Sequence, residues 1–268
     1  MRGFPEVRCR VIGKSVLGRN LYELRFGSGT RSVHFNAAFH ANEWITSLVL
    51  MEWLETILSR IGTDFPKAQL FQLSVVPMVN PDGVEMVALG RKERGNPYPV
   101  EEMNDGKPDY YSWKANARGV DLNKQFPAHW DEYKCKSNIK TPYYRDFPGE
   151  APLTEPEAIA MKKLVESSDF HHIIALHTQG KEFYWGYKGF EPEEAEQYAA
   201  ELKETSVYRA IRNVNSSAGF RDWFIYCYGK AGFTLELGKG INPLPLSQLG
   251  SIISDTFPIL DRALFLGK

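Results

Sequence analysis

Apolar residues along the chain fall into short runs with two different periods. "SVHFNAAF" (32–39) and "FQLSVVPMV" (71–79) are rich in β-branched and aromatic residues and end at polar or turn residues, which predicts strands. Between them, "NEWITSLVLMEWLETILSRIG" (42–62) has the length and apolar spacing of a helix, ended at Gly62. Strand, helix and strand in that order favour a largely parallel sheet, because parallel neighbours need a long crossover. Farther on, "TEPEAIAMKKLVESS" (154–168) reads as a helix opened by a capping box of Thr154 and Glu157. "HHIIALHTQ" (171–179) reads as a short buried strand, "EPEEAEQYAAELKETS" (191–206) as a surface helix and "GFTLELG" (232–238) as a strand. A closing helix spans 245–266 with an interruption at Pro258. The stretch from 80 to 150 differs: it is rich in Pro, Gly, Asn, Asp and Tyr and has little periodicity. A loop region that long inside a compact domain is usually functional. The pattern predicts an α/β fold: a single domain over 1–268 with a central mixed, mostly parallel sheet and helices on both faces.

Composition narrows the function classes. With 43% hydrophobic and 24% charged residues, the 268-residue chain can bury a large core without disulfides or structural metal. A net charge of −1 gives no electrostatic case for nucleic acid or an anionic membrane as partner. No run of about 18 apolar residues exists for a membrane span, and the first twenty residues contain no apolar leader core. Cys9, Cys135 and Cys227 are widely spaced and odd in number, which fits a reducing compartment and a cytoplasmic location. Nothing in the pattern sets an oligomeric state.

The candidate chemistry begins in "AAFHANEW", where His40 and Glu43 stand at a predicted strand-to-helix junction. Open α/β sheets place their sites at such strand ends. The spacing alone fits a carboxylate at a helix start as well as half of a metal site. His177 ends the apolar run "IIALH" and is either a satisfied core histidine or a third ligand. His34 lies inside a strand, His129 in a loop, and His171 and His172 at a strand entry. Glu236 interrupts the apolar "GFTLELG". Alternation puts Phe233, Leu235 and Leu237 on the opposite face, so Glu236 either faces solvent or serves as a base. "WKANARGVDLNKQFP" (113–127) gathers Lys114, Arg118 and Lys124 among Asn116, Asp121 and Asn123: a solvated loop, or a donor cluster for an oxyanion and a substrate carboxylate.

Taken together and in order, "FHANEW", "VPMVNPDGVE", "WKANARGVDLNKQFP", "ALHTQG", "FRDWF" and "GFTLELGKGINPLP" resemble the zinc carboxypeptidase family, the carboxypeptidase A-like metallopeptidases. "NARGVDLNKQFP", "HTQG" and "GINPLPLSQ" look most like bacterial γ-D-glutamyl-diaminopimelate peptidases, which cut cell-wall (murein) peptides. The resemblance implies zinc held by His40, Glu43 and His177, Glu236 as general base, and Asn123 on a substrate carboxylate. The oxyanion-stabilising cation matches Lys114 by its distance from the tryptophan. Arg118, the arginine of the motif, is favoured narrowly.

Three departures from the family pattern shape the expected substrate. The carboxylate-binding arginine after the asparagine is Lys124 here, which keeps the charge and loses the bidentate fork. Protein-digesting members carry a mobile tyrosine shortly before the "DW" pair, and this chain has none between Tyr208 and Tyr226. The position at the floor of the specificity pocket is Arg221, which either reads the second carboxylate of diaminopimelate or pairs with Asp222. The resemblance therefore implies a peptidase for the γ-D-glutamyl–meso-diaminopimelate bond, with a diaminopimelate-containing muropeptide as its partner. Rival readings are a deacylase of small N-acyl amino acids and a catalytically silent zinc-binding module that recognises peptides.

Overall fold

The computed structural model describes residues 7–61, 69–92, 95–212 and 214–267. Its centre is a sheet of β1 (Arg8–Lys14), β2 (Asn20–Phe26), β3 (Ser32–Ala37), β4 (Gln72–Val76), β5 (Phe170–His177), β6 (Glu182–Tyr184), β7 (Arg209–Ile211) and β8 (Ala231–Glu236). The strands lie in the order β1-β2-β4-β3-β5-β8-β6-β7. Pairings β4–β3, β3–β5, β5–β8 and β6–β7 are parallel, while β1–β2, β2–β4 and β6–β8 are antiparallel. The mixed, mostly parallel expectation agrees with this topology.

The central strands are apolar because helices cover both of their faces. On one face α1 (Ile45–Ile61), α6 (Glu194–Glu204) and α8 (Leu249–Ala263) bury a large core, with Trp53 of α1 packed 5.3 Å from Phe35 of β3. On the other face α5 (Pro156–Glu166) and α7 (Phe220–Tyr228) pack with Phe39, Phe126 and Ile173. Helix α8 runs through Pro258 without a break, contrary to the predicted interruption. The predicted stop at Gly62 lies outside the described residues.

Two local expectations need correction. Thr154 and Glu157 form no capping box. Helix α5 starts after Glu155, Thr154 Oγ1 donates to Gln125 Oε1 at 3.1 Å, and Glu157 accepts from the Val16 backbone instead. The 80–150 region also contains more structure than its pattern suggests. It forms α2 (Pro81–Leu89), α3 (Val100–Met103), a 3-10 turn at Leu122–Lys124 and α4 (Trp130–Lys136). These helices are too short for a clear period to emerge.

The topology positions the site. β3, β5 and β8 are adjacent and parallel, so their carboxyl ends share one edge of the sheet. His40 follows the end of β3, and His177 and Glu236 are the last residues of β5 and β8. Residues far apart in sequence thus converge by pairing alone.

Candidate metal centre and active site

Beyond β3, Ala38 takes a positive φ of 51° and a 3-10 turn over Ala41–Glu43 leads into α1. His40 and Glu43 consequently face inward instead of capping the helix. The His40 side chain makes no cap hydrogen bond. Its Nδ1 lies 2.9 Å from Glu43 Oε1, and His177 Nδ1 lies 2.9 Å from Glu43 Oε2. One donor atom from each of the three buried residues falls within 4.8 Å of the others. Thr178 N also donates to Glu43 Oε2, at 3.2 Å.

Two imidazole nitrogens and one carboxylate are the donor set of a catalytic zinc with an open position. Their burial and convergence fit that ion. Asp121 Oδ1 lies 3.1 Å from His40 Nε2, the outer partner that orients a ligating histidine. His177 Nε2 is buried with no hydrogen-bond partner among the described residues. His34, by contrast, is a core histidine: burial pushes its pKa to about 3, and Ser74 lies 3.0 Å from its Nδ1.

Glu236 lines the same cavity of about 490 Å³ as His40, Glu43 and His177. It pairs in register with His177 on the neighbouring strand, so both side chains leave the same face of the sheet. Phe233, Leu235 and Leu237 enter the core on the other face. Burial, and then the nearby charge of Glu43, push the Glu236 carboxyl up to about 8. A proton affinity near neutrality suits a group that takes and returns a proton. For Glu43, burial alone would raise the pKa, but His40, Lys114 and His177 hold it well below the usual carboxylate range.

The cation loop divides its side chains differently from expectation. Lys114 lines the cavity, with Nζ 3.3 Å from Glu43 Oε1. Arg118 does not line it: its Nε donates to Tyr98 Oη at 3.0 Å, and Nη1 lies 3.5 Å from Glu155. The cause is local. Asn116 Oδ1 accepts the backbone N–H of both Arg118 and Val120 and closes a turn there. Lys124 is also displaced, with Nζ 4.5 Å over the Tyr133 ring in a separate cavity. Asn123 lines the main cavity, and its Oδ1 accepts the Phe220 N–H at the start of α7.

Arg221 and Asp222 are both buried and paired with each other. Arg221 Nε donates to Asp222 Oδ1 at 3.0 Å and Nη2 to Ser216 Oγ at 2.9 Å, while Nη1 is buried without a partner among the described residues. Asp222 thus serves Arg221 and is not a wall of the main cavity. The guanidinium lies 5.8 Å from the Tyr184 ring, and Tyr184 does line that cavity.

Two contributions were not visible in the pattern. Asn80 caps α2 through Gly83 N and sends Nδ2 to Phe39 O and Ala115 O, at 3.2 and 2.9 Å. It thereby ties the ligand loop to the cation loop. Gly83 is needed for this approach, since a Cβ there would fall 2.5 Å from Ala115 O. The second is Arg145, which lines the cavity.

A model of the zinc carboxypeptidase family matches residues 2–258. The chain belongs to that family. It is 49% identical to an uncharacterized Bacillus subtilis protein, YqgT, over 98% of this chain and 73% of that one. It is 41% identical to γ-D-glutamyl-L-diamino acid endopeptidase 1 of Lysinibacillus sphaericus, over 98% of this chain and 68% of that one. In three dimensions it superposes on thrombin-activatable fibrinolysis inhibitor with a TM-score of 0.76 at 18% identity, over 97% of this chain and 69% of the other. This zinc carboxypeptidase fold therefore persists where sequence likeness has faded. No helix among the described residues is long and apolar enough to cross a membrane.

Proposed function

We propose that the protein hydrolyses the γ-D-glutamyl–meso-diaminopimelate amide bond of cell-wall peptides. The chemistry rests on one observation above all: Glu236 faces the His40–Glu43–His177 cluster with no ion-pair partner among the described residues. The substrate class rests on the likeness to the Lysinibacillus enzyme, whose name gives a γ-D-glutamyl–L-diamino acid bond.

Zinc held by His40, Glu43 and His177 would supply Lewis acidity toward the scissile carbonyl and toward a water nucleophile near neutral pH. Glu236 takes a proton from the water as it attacks and returns that proton to the leaving amine. Lys114 offers its ammonium to the negative charge developing on the carbonyl oxygen. Asp121 keeps His40 oriented through Nε2. Asn123 donates to the substrate from the cavity wall. Arg221, fixed by Asp222 and 5.8 Å from the Tyr184 ring of the cavity wall, gives that end of the cavity the positive charge that suits the far carboxylate of diaminopimelate. Cys9, Cys135 and Cys227 are free and exposed, which supports action on recycled peptides in a reducing, cytoplasmic setting.

The test combines metal analysis with turnover of L-Ala-γ-D-Glu-diaminopimelate. The wild type should bind one zinc and release diaminopimelate. Glu236→Gln should retain the zinc and lose about 10²–10⁴ in kcat. A zinc-loaded wild type that leaves the peptide intact refutes the proposed bond. A fully active Glu236→Gln refutes the base.

A further inference from the structure

We infer that Arg145 binds the main-chain carboxylate of the residue on the leaving-amine side, the role that the Lys124 position has given up. This inference rests on the proposed bond and adds the residue that recognises its product end. Cation placement makes the first argument. Lys124 lies over Tyr133 in another cavity, whereas Lys114 and Arg145 line the catalytic one. Lys114 is committed to Glu43 and to the reacting carbonyl. That leaves Arg145 as the wall cation with guanidinium nitrogens to spare for a substrate anion.

Its hydrogen-bonding inventory agrees. Arg145 Nε donates to Asp146 Oδ2 at 2.7 Å. Nη1 and Nη2 have no partner among the described residues, so one edge of the planar fork is available to a carboxylate. The side chain is about two-fifths exposed, so an incoming ligand can reach it.

The backbone on both sides of Arg145 is fastened to the catalytic loop. Tyr144 O accepts from Lys114 N and Ala115 N at 2.8 and 3.0 Å. Phe147 O accepts from Asp121 N at 2.8 Å, and Asp121 Oδ2 accepts from Asp146 N at 3.4 Å. Arg145 therefore sits at a fixed offset from the loop that carries Lys114, Asp121 and Asn123. Preorganisation of this kind removes much of the ordering cost of binding.

The experiment pairs a protein change with a substrate change. γ-D-Glutamyl-diaminopimelate is made with its main-chain carboxylate free or amidated, and kcat/KM is measured for wild type, Arg145→Ala, Arg145→Lys and Lys124→Ala. The wild type should favour the free acid by about 10- to 100-fold. Arg145→Ala should lose that preference, chiefly through KM on the acid, and handle the amide as the wild type does. Arg145→Lys should restore only part of it, because lysine lacks the fork. Preference retained in Arg145→Ala, or lost in Lys124→Ala instead, overturns the assignment. Calorimetric binding of diaminopimelate and its amide to wild type and Arg145→Ala reads the same contact without turnover. If neither peptide is cleaved, the proposed bond fails, and the calorimetry still decides Arg145: an acid preference that Arg145→Ala abolishes upholds it, and equal binding refutes it.

Discussion

Lys114 and Arg118 stand four residues apart in one loop and do unrelated work. Both are cations at a plausible distance from the motif's tryptophan, and a linear reading has no means to separate them. The separation comes from Asn116, whose carbonyl closes a turn and sends Arg118 toward Tyr98 and Glu155. Lys114→Ala is therefore expected to lower kcat by about 10²–10³ with little change in the melting temperature. Arg118→Ala is expected to leave kcat within a few-fold and to lower the melting temperature by loosening the Glu155 contact. Steady-state kinetics and a thermal melt of each variant distinguish the two. At this scale, His40, Glu43, His177 and Glu236 were legible because each is awkward where the pattern puts it: polar groups at apolar strand ends. Asp121, Asn80 and Arg145 were not legible, since asparagine, aspartate and arginine in a loop are ordinary until the fold gives them partners.

Helix α5 and the β1–β2 hairpin show how elements are joined by buried polar groups. Glu157 projects from α5 and accepts from Val16 N at 3.0 Å in the hairpin turn, where Asp82 of α2 also accepts from Leu17 N at 2.8 Å. Burial, then its backbone bonds, and then the nearby charges of Glu155 and Asp82 act on Glu157, and the net effect lifts its pKa to about 7. The folded state therefore holds this proton more tightly than the unfolded chain does. The resulting stability is complete below about pH 4.5 and is lost as pH rises through 7, an effect on the order of 3 kcal/mol. Glu157→Gln should flatten the fall in stability between pH 4.5 and 7, and should exceed the wild type at pH 8. Urea midpoints at several pH values check this, and an unchanged slope refutes it. Several elements escaped the pattern for physical reasons. Strand β1 is nearly all exposed and pairs on one side only, so no apolar alternation marks it. β6 and β7 are three residues each, too short for a period to register.

At the scale of the whole molecule, three parallel strands do most of the assembly. β3, β5 and β8 are apolar enough to be read from the sequence, and their order in the sheet brings distant residues to one edge. What the pattern could not supply is the order itself, because β4 lies on one side of β3 while β5, much later in the chain, pairs on the other. The two-faced burial then follows from the crossovers that parallel pairing requires.

The pairing of His177 with Glu236 also limits how the chain can change length. A side chain's face in a strand depends on whether its position is odd or even. One residue inserted between Thr234 and Leu235 would bring Leu235 to the cavity and turn Glu236 toward the core, or slide the strand and drive Phe233 into the other buried face, where Arg221 and Ile225 crowd Gly232. Such an insertion should abolish turnover and lower the melting temperature, while one after the exposed Gly106 should leave both near wild type. Turnover and a melt for each insertion variant check this. Loops can thus lengthen over generations without loss of chemistry, while a single codon gained or lost within six residues of β8 erases it.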